Sequence, residues 1–146
     1  MNIRTATAAD SPTILDLMRE LYEHEGIPFD RTVASEALGC LLETPALGEV
    51  RLMLEDEEIV GYFALTFGYS LEFHGRFLLL DEMYIRDDYR GRGLGREALE
   101  AVEEICRERG IKALRLEVEE SNLHAQTLYR SSGFESHDRH LMTKWL

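Results

Sequence analysis

Several residue types and patterns are scarce in this chain. It has two cysteines, Cys40 and Cys106, and both fall within apparent helices at positions that suit an apolar side chain. Neither belongs to a spacing typical of metal ligands. We therefore predict two reduced cysteines that serve in packing, and not a disulfide, a metal site or a nucleophile.

Positive charge is also scarce. The chain has 16 Lys and Arg against 28 Asp and Glu, a formal net charge of −12. A nucleic-acid-binding protein needs a basic face to neutralise phosphates, so this balance excludes nucleic acid as a partner. Most acidic residues are expected to form a solvated surface; the alternative is that their field steers a cationic ligand toward the protein.

Long apolar runs are missing as well. No segment approaches the length of a membrane span, so no membrane partner is expected, and the first residues lack the basic and apolar blocks of a signal peptide. These features predict a cytoplasmic protein. Its 146 residues, 45% of them hydrophobic, suffice for one sizeable core, and we predict a single domain over residues 1–146.

The hydrophobic patterning predicts an α/β fold. A short strand, two helices, a hairpin and a longer strand are followed by a long amphipathic helix, a strand, a short helix and a last strand. This order indicates a central mixed β-sheet with helices on both faces. Asp10 or Ser11 is expected to cap the first helix. The predicted strands cover residues 2–6, 50–54, 59–67, 77–85, 113–118 and 139–145, and the second and last helices cover residues 31–42 and 122–131.

The strongest chemical signal is the run from Asp87 to Arg96, in which Gly91, Gly93 and Gly95 alternate with other residues. Three other residues of the run are arginines. Helix starts expose free backbone amides and the positive end of the dipole, so a glycine-rich entry lets a diphosphate approach closely. The spacing is one residue short of the dinucleotide fingerprint, and no Gly-Lys-Ser/Thr follows. The run predicts an anion site of another kind, or else a plain turn before a helix.

The run Arg90-Gly91-Arg92-Gly93-Leu94-Gly95 resembles the acetyl-CoA motif Arg/Gln-x-x-Gly-x-Gly/Ala of the GNAT family of N-acetyltransferases. The flanking elements through Phe134 follow in the family's order and spacing, so the resemblance covers essentially the whole chain. Leu80-Asp81-Glu82, and Asn122 followed by Tyr129, look most like the polyamine (spermidine/spermine) acetyltransferases. The resemblance implies the GNAT acyl-CoA N-acyltransferase fold, with acetyl-CoA as cofactor and CoA as product.

The resemblance also implies how the cofactor binds. In the family, the strand before the motif and the next strand splay apart, and the pantetheine arm lies between them. The backbone of Met83, Tyr84 and Ile85 would contact the pantetheine and thioester, and Asn122 would contact the cofactor from the other side or serve only as a helix N-cap. The residues assigned to the pyrophosphate are Arg90, Gly91, Arg92, Gly93, Leu94, Gly95 and Arg96.

The implied chemistry is attack of a neutral amine on a thioester, and it needs a base. An alkyl amine with a pKa of about 10.4 costs about 4.6 kcal/mol to deprotonate at pH 7. Asp81 and Glu82 are the candidates, although strand alternation points only one of them into the cleft unless a bulge breaks the parity. Family alignment supports either residue, and a structural pairing with an arginine is the alternative for each.

Tyr129 is implied as the general acid that protonates the departing thiolate. A proton transfer from a phenol of pKa about 10 to a thiolate near 8.5 is uphill by about 2 kcal/mol, so the hydroxyl is expected to act more as a hydrogen-bond donor. The alternative is an aromatic side chain that only packs the short helix onto the sheet.

The expected acceptor is a primary amine of a small cationic molecule, such as a polyamine or diamine, acetylated directly in a ternary complex. Tyr69 and the segment from Leu21 to Phe29 are expected to line its pocket, and analogy with the family implies a homodimer. A protein lysine or N-terminus is the alternative acceptor, and a non-catalytic acyl-CoA sensor on the same fold is the alternative function.

Overall fold

The computed structural model describes all 146 residues, which form five strands and four helices. No helix combines the length and apolar character needed to cross a membrane. The elements are, in chain order, β1 (Asn2–Thr5), α1 (Ser11–Glu25), α2 (Arg31–Glu43), β2 (Gly48–Glu55), β3 (Glu58–Ser70), β4 (Gly75–Ile85), α3 (Leu94–Glu108), β5 (Leu114–Leu116) and α4 (Leu123–Ser131).

The strands form one sheet in the order β1-β2-β3-β4-β5. The first four strands pair in an antiparallel manner, and β5 pairs with β4 in parallel. The sheet is therefore mixed, as the sequence predicted. A parallel pair needs a crossover between its strands, and α3 provides it.

Each face of the sheet has its own apolar core. One core joins α1 and α2 to side chains of β2 and β3, with Ile14, Leu17 and Tyr62 almost fully buried. The other joins α3 to the opposite face through residues such as Leu78 and Val102. Helices cover both faces, which confirms the predicted α/β architecture.

A β-bulge interrupts β4 at the acidic pair that the sequence singled out. Ala64 of β3 pairs with Glu82, but its neighbour Leu65 pairs with Leu80, so Asp81 is an extra residue with no partner on β3. Leu80 packs in the core under α3, whereas Tyr84 packs in the core under α1. The bulge thus switches the faces of the strand and turns Glu82 toward α1.

The pairing of β4 with β5 is short. It covers Leu78 to Leu80 of β4 and ends at Leu116 of β5. From Asp81 to Ile85, β4 has β3 on one side and no strand on the other. The backbone leading to the glycine-rich turn therefore has an open edge.

Three local predictions were wrong. Residues 139–145 do not form a strand: residues 135–146 are neither helix nor strand, and Trp145 is 90% exposed. The physical reason is that the three-residue β5 offers a short edge for pairing, while Arg139 makes a two-pronged ion pair with Glu72 in the loop before β4. The strand predicted over 113–118 is correspondingly shorter. Cys40 is exposed and does not pack, although both cysteines are free as predicted.

The start of α1 differs in detail from the expected cap. Asp10 precedes the helix, but its carboxylate does not bond to the first turn of α1. It accepts hydrogen bonds from the Thr7 amide at 2.8 Å and from both guanidinium nitrogens of Arg4, at 2.7 and 2.9 Å. Asp10 therefore ties β1 to the helix entry.

Candidate active site

The glycine-rich turn forms a row of free backbone amides. Gly91 and Gly93 have φ angles of 74° and 87°, in the left-handed region that glycine adopts without strain. The amides of residues 91–95 donate to no backbone or side-chain acceptor, and the first bonds of α3 run from Arg96 and Glu97 to the Gly93 carbonyl. Consecutive free amides at a helix start make a concavity that attracts anions.

The three arginines of the turn have different surroundings. Arg90 pairs with Asp87 at 2.7 Å and donates to the Ile85 carbonyl, so it braces the end of β4 against the turn. Arg92 donates to the Asp88 carbonyl at 2.7 Å, and Arg96 reaches Ser131 of α4 at 3.2 Å. Arg92 and Arg96 pair with no carboxylate, so their positive charge stays available beside the amides.

Glu82 accepts a hydrogen bond from a tyrosine at each carboxylate oxygen. The Tyr22 hydroxyl of α1 donates to Oε1 at 2.5 Å, and the Tyr62 hydroxyl of β3 donates to Oε2 at 2.8 Å. Burial and the Glu82 carboxylate both raise the pKa of each tyrosine, so both phenols stay protonated and act as donors. Three elements therefore fix the position of one carboxylate.

Asp81 has a different setting from its neighbour. Its side chain is exposed at the bulge and forms no hydrogen bond or ion pair. Partial desolvation raises the pKa of Asp81, and its charge contributes to the raised pKa of Tyr22. A structural ion pair with an arginine was the alternative role for Asp81 and Glu82. Neither side chain contacts an arginine, so this alternative does not apply.

Glu25, the last residue of α1, interacts electrostatically with both Glu82 and Tyr129. Burial raises the pKa of Glu25, and the charges of Glu119 and Glu82 raise it further. Glu25 in turn contributes to the raised pKa of Tyr62 and of Tyr129. Negative charge at the end of α1 therefore acts on groups of β3, β4 and α4.

Tyr129 keeps a free hydroxyl. Its ring packs on the core under α3 and meets Phe134 edge-on, with 5.8 Å between ring centroids. No acceptor bonds its hydroxyl in the protein. Burial raises the pKa of Tyr129, which makes it a weaker acid and favours its acting as a hydrogen-bond donor.

Asn122 caps α4, which is one of the two roles that the sequence predicted for it. Its Oδ1 atom accepts from the Ala125 amide at 3.1 Å. The side-chain nitrogen has no partner in the protein, so capping leaves a donor free.

The face of the sheet that carries Glu82 also carries Tyr84, whose hydroxyl donates to Glu20 of α1 at 3.0 Å. Burial raises the pKa of Tyr84 to about 12. An open cavity of about 300 Å³ lies beside this pair, lined by Glu20, Glu23, His24, Tyr84 and Asp87. Three of the five lining residues are carboxylates, so this end of α1 presents a negative surface.

Comparison with known proteins identifies the fold and the class of the chain. The sequence profile of the Acetyltransferase (GNAT) family matches residues 14–134. The chain belongs to the GNAT family. It is therefore an acetyl-CoA-dependent N-acetyltransferase, and the resemblance seen in the glycine-rich run is confirmed at the level of the family.

Named relatives span nearly the whole chain. The thialysine N-epsilon-acetyltransferase of Bos taurus is 33% identical over 90% of this chain and 82% of its own length. An L-methionine sulfoximine/L-methionine sulfone acetyltransferase of Pseudomonas aeruginosa is 29% identical over 92% of this chain and 80% of its own. Among solved structures, an integron cassette protein from a salt-marsh metagenome superposes with a TM-score of 0.88 at 35% identity, covering 99% of this chain and 90% of that one.

The sequence did not single out three residues of this region. Tyr22 and Glu25 lie in the segment from Leu21 to Phe29 that was expected to line the acceptor pocket, but no pattern assigned either a role. The sequence predicted Tyr62 only as part of the hairpin strand over residues 59–67. Its signal was a tyrosine in an otherwise apolar strand, since a buried phenol needs a hydrogen-bond partner. Tyr69, also expected at the pocket, is 71% exposed.

Proposed function

We propose that the protein transfers an acetyl group from acetyl-CoA to a primary amine of a small cationic molecule, by direct attack in a ternary complex. The observation that carries the proposal is the arrangement along β4. This strand holds Glu82 between two tyrosines, has an open backbone edge from Asp81 to Ile85, and leads into the five free amides of residues 91–95.

The chain's residues fit acetyl-CoA. The free amides and the positive charges of Arg92 and Arg96 suit a pyrophosphate, and the open edge at Met83, Tyr84 and Ile85 suits the amide groups of a pantetheine arm. Gly91, Gly93, Leu94 and Gly95 supply the amides, Arg90 braces the turn, and Asn122 has a side-chain donor to offer. The bound cofactor would supply an acetyl thioester.

We assign the base to Glu82, acting on the amine directly or through a water. Its carboxylate is held in place by Tyr22 and Tyr62. The negative charge of Glu82 and of Glu25 attracts a protonated amine, which then gives up its proton to Glu82. Asp81 lacks such support because it is exposed and unbonded. We assign to Tyr129 the role of a hydroxyl donor on the opposite side, where its raised pKa keeps the proton in place.

The acceptor we propose is small and cationic. The charges of Glu25 and Glu82 interact, and Glu20, Glu23 and Asp87 line the cavity beside Tyr84. Together with the net charge of −12, these carboxylates favour a cation by electrostatic attraction. Two relatives are named as acetyltransferases of thialysine and of L-methionine sulfoximine or sulfone, which are small molecules, and this agrees with a small acceptor.

The test is the release of free thiol from acetyl-CoA across polyamines, diamines, aminoglycosides, neutral amino acids and lysine peptides. We expect turnover with a cationic small amine, and a loss of at least about 100-fold in kcat for Glu82→Gln. Asp81→Asn is the matched control, since it removes the neighbouring charge, and we expect less than about a threefold change.

Each alternative has its own outcome in this experiment. Preferential turnover of lysine peptides would replace the small acceptor by a protein, and a larger loss in Asp81→Asn than in Glu82→Gln would move the base to Asp81. Calorimetric binding of acetyl-CoA without turnover of any amine would favour the sensor function.

We also propose that the enzyme works as a cytoplasmic homodimer. Two free cysteines agree with a reducing compartment, and Leu141, Met142 and Trp145 form an exposed apolar segment suited to a contact between copies. Light scattering coupled to gel filtration would test the dimer, and a monomer at micromolar concentration would refute it.

A further inference from the structure

We propose that Tyr62 is a positioning residue that holds one oxygen of Glu82 throughout the reaction, whereas Tyr22 holds the other oxygen only until the amine binds. This inference rests on the proposed role of Glu82 as the base. It assigns different tasks to two hydrogen bonds that have the same chemistry, and the difference comes from where the two tyrosines lie.

The Tyr62 hydroxyl cannot move away from Glu82 without disrupting the packing of the core. It lies in β3, opposite Tyr84 in the register of the sheet, and its side chain is 1% exposed. It packs in the core shared with α1 and α2. A phenol has one proton to donate, and no acceptor other than Glu82 Oε2 is bonded to it. The Tyr62–Glu82 bond is therefore a fixed part of the sheet.

Tyr22 lies where its hydrogen bond to Glu82 can be replaced by one from the substrate amine. It lies in the last turn of α1, is only partly buried, and packs edge-on against Phe29 with 5.6 Å between ring centroids. The helix ends at Gly26, which has a φ of 67°. An incoming ammonium group is a stronger donor to a carboxylate than a neutral phenol. The amine can thus take the place of the Tyr22 hydroxyl at Oε1 while Oε2 stays bonded to Tyr62.

The two roles make different predictions for kcat and KM. A hydroxyl that keeps its bond to Glu82 in the complex contributes to turnover, so its removal lowers kcat. A hydroxyl that the amine displaces makes no bond to Glu82 in the complex, so its removal leaves kcat unchanged. Because that hydroxyl no longer competes for Oε1, its removal lowers the KM for the amine.

The acidic groups near Glu82 stay the same in every variant. Asp81 precedes it on β4, and the charge of Glu25 at the end of α1 interacts with it. Deprotonation of the amine is likewise common to all variants, so differences in kcat and KM report on the donor removed.

The experiment compares Tyr62→Phe, Tyr22→Phe and the wild type with the amine identified by the panel. We expect kcat to fall about tenfold in Tyr62→Phe and to stay unchanged in Tyr22→Phe, and we expect the KM for the amine to fall only in Tyr22→Phe. The KM for acetyl-CoA should not change. Tyr89→Phe is the matched control, because it removes a hydroxyl that bonds Glu58 at an exposed site, and we expect wild-type kcat and KM.

Two results would overturn the proposal: a kcat of Tyr62→Phe equal to that of the wild type, or a kcat of Tyr22→Phe that falls as far as that of Tyr62→Phe. If Tyr62→Phe does not fold, NMR of the wild type and Glu82→Gln gives the answer. We expect a slowly exchanging Tyr62 hydroxyl proton whose shift changes in Glu82→Gln, and an unchanged shift counts against the bond. This readout needs no turnover, so it separates a failure of the positioning role from a failure of the proposed function.

Discussion

Gly95 in the first turn of α3 lies directly against Leu128 of α4. A Cβ atom on Gly95 would be 3.1 Å from Leu128 Cδ2, closer than ordinary van der Waals contact. Leu128 precedes Tyr129, and Arg96, next to Gly95, donates to Ser131 of the same helix. The proposed pyrophosphate site and the proposed hydroxyl donor are therefore attached to each other by packing.

Gly93→Ala is expected to weaken acetyl-CoA binding by at least about tenfold. Gly93 has a φ of 87°, and a side chain in the left-handed region costs about 1–2 kcal/mol. The turn can relieve this strain by rotating its amides away from the position that suits an anion. Isothermal titration with acetyl-CoA measures the effect.

Gly110→Ala is the matched control for this substitution. Gly110 follows α3 at a φ of 64°, and a Cβ there would meet no atom within 4 Å, as at Gly93. We expect a similar loss of stability in urea titrations and unchanged acetyl-CoA affinity. Equal affinities in the two variants would exclude the turn as the pyrophosphate site.

Tyr129→Phe is expected to lower kcat by at least about tenfold with little change in acetyl-CoA affinity. The ring would keep its contact with Phe134, and the hydroxyl that is lost has no partner in the protein, so stability should hardly change. Steady-state kinetics with both substrates varied would measure the effect. Unaltered turnover would remove Tyr129 from the mechanism.

Asp10→Asn is expected to lower the free energy of unfolding by about 1–3 kcal/mol at pH 7, because it removes the charge that bonds Arg4 and the Thr7 amide. The side chain of Asp10 is only 12% exposed, unlike those of most ion pairs in this protein. Asp16→Asn is the control: Asp16 pairs with Arg31 at an exposed site, where about 0–1 kcal/mol is expected.

The contribution of Asp10 should depend on pH. The Arg4 guanidinium holds the pKa of Asp10 well below its usual range, whereas the unfolded chain has a pKa of about 3.9. A depressed pKa in the folded state stabilises the protein above the unfolded pKa and loses that effect as pH falls. The difference between wild type and Asp10→Asn should therefore be largest near neutral pH and shrink below about pH 4. A difference that stays constant to pH 3 would contradict the charge-assisted bond.

At concentrations where the protein is a monomer, Trp145 is expected to fluoresce as an indole in water and to be quenched by iodide. It is the single tryptophan of the chain, and its side chain is 90% exposed. Iodide quenching of the native and urea-unfolded protein, measured at several protein concentrations, would test this placement. A protected, blue-shifted emission at low concentration would instead support the strand that the sequence predicted over 139–145.

Much of the architecture could be predicted because it depends on local patterns. The buried stripe of α1, the hairpin of β2 and β3, and the glycine-rich start of α3 each carry their own signal in sequence. The last strand failed because strand formation depends on a partner edge, and β5 is too short to offer one. Apolar residues near the chain end do not reveal whether such an edge exists.

The site could be predicted only in part, for a related reason. Asp81, Glu82 and Tyr129 were predicted through the family's motifs, but the orientation of Asp81 and Glu82 depends on a bulge at Asp81 that the strand pattern alone does not indicate. The Glu82 contacts are made 60 and 20 residues away in sequence, by Tyr22 and Tyr62. Contacts between distant segments are set by tertiary packing, and single-sequence patterns do not record them.

Helix α4 contains no fully buried residue, although it carries Tyr129. An element attached by so little apolar contact opens at a lower free energy than the sheet. We therefore expect activity to be lost on heating before the sheet unfolds. At that temperature the amides of the core strands should still be protected from hydrogen exchange. Helix α4 packs against the start of α3, next to the turn assigned to the pyrophosphate. A ligand bound at that turn would therefore stabilise the closed position of α4 by mass action. The upper temperature for activity would then rise with the supply of acetyl donor, with no change in the melting of the sheet.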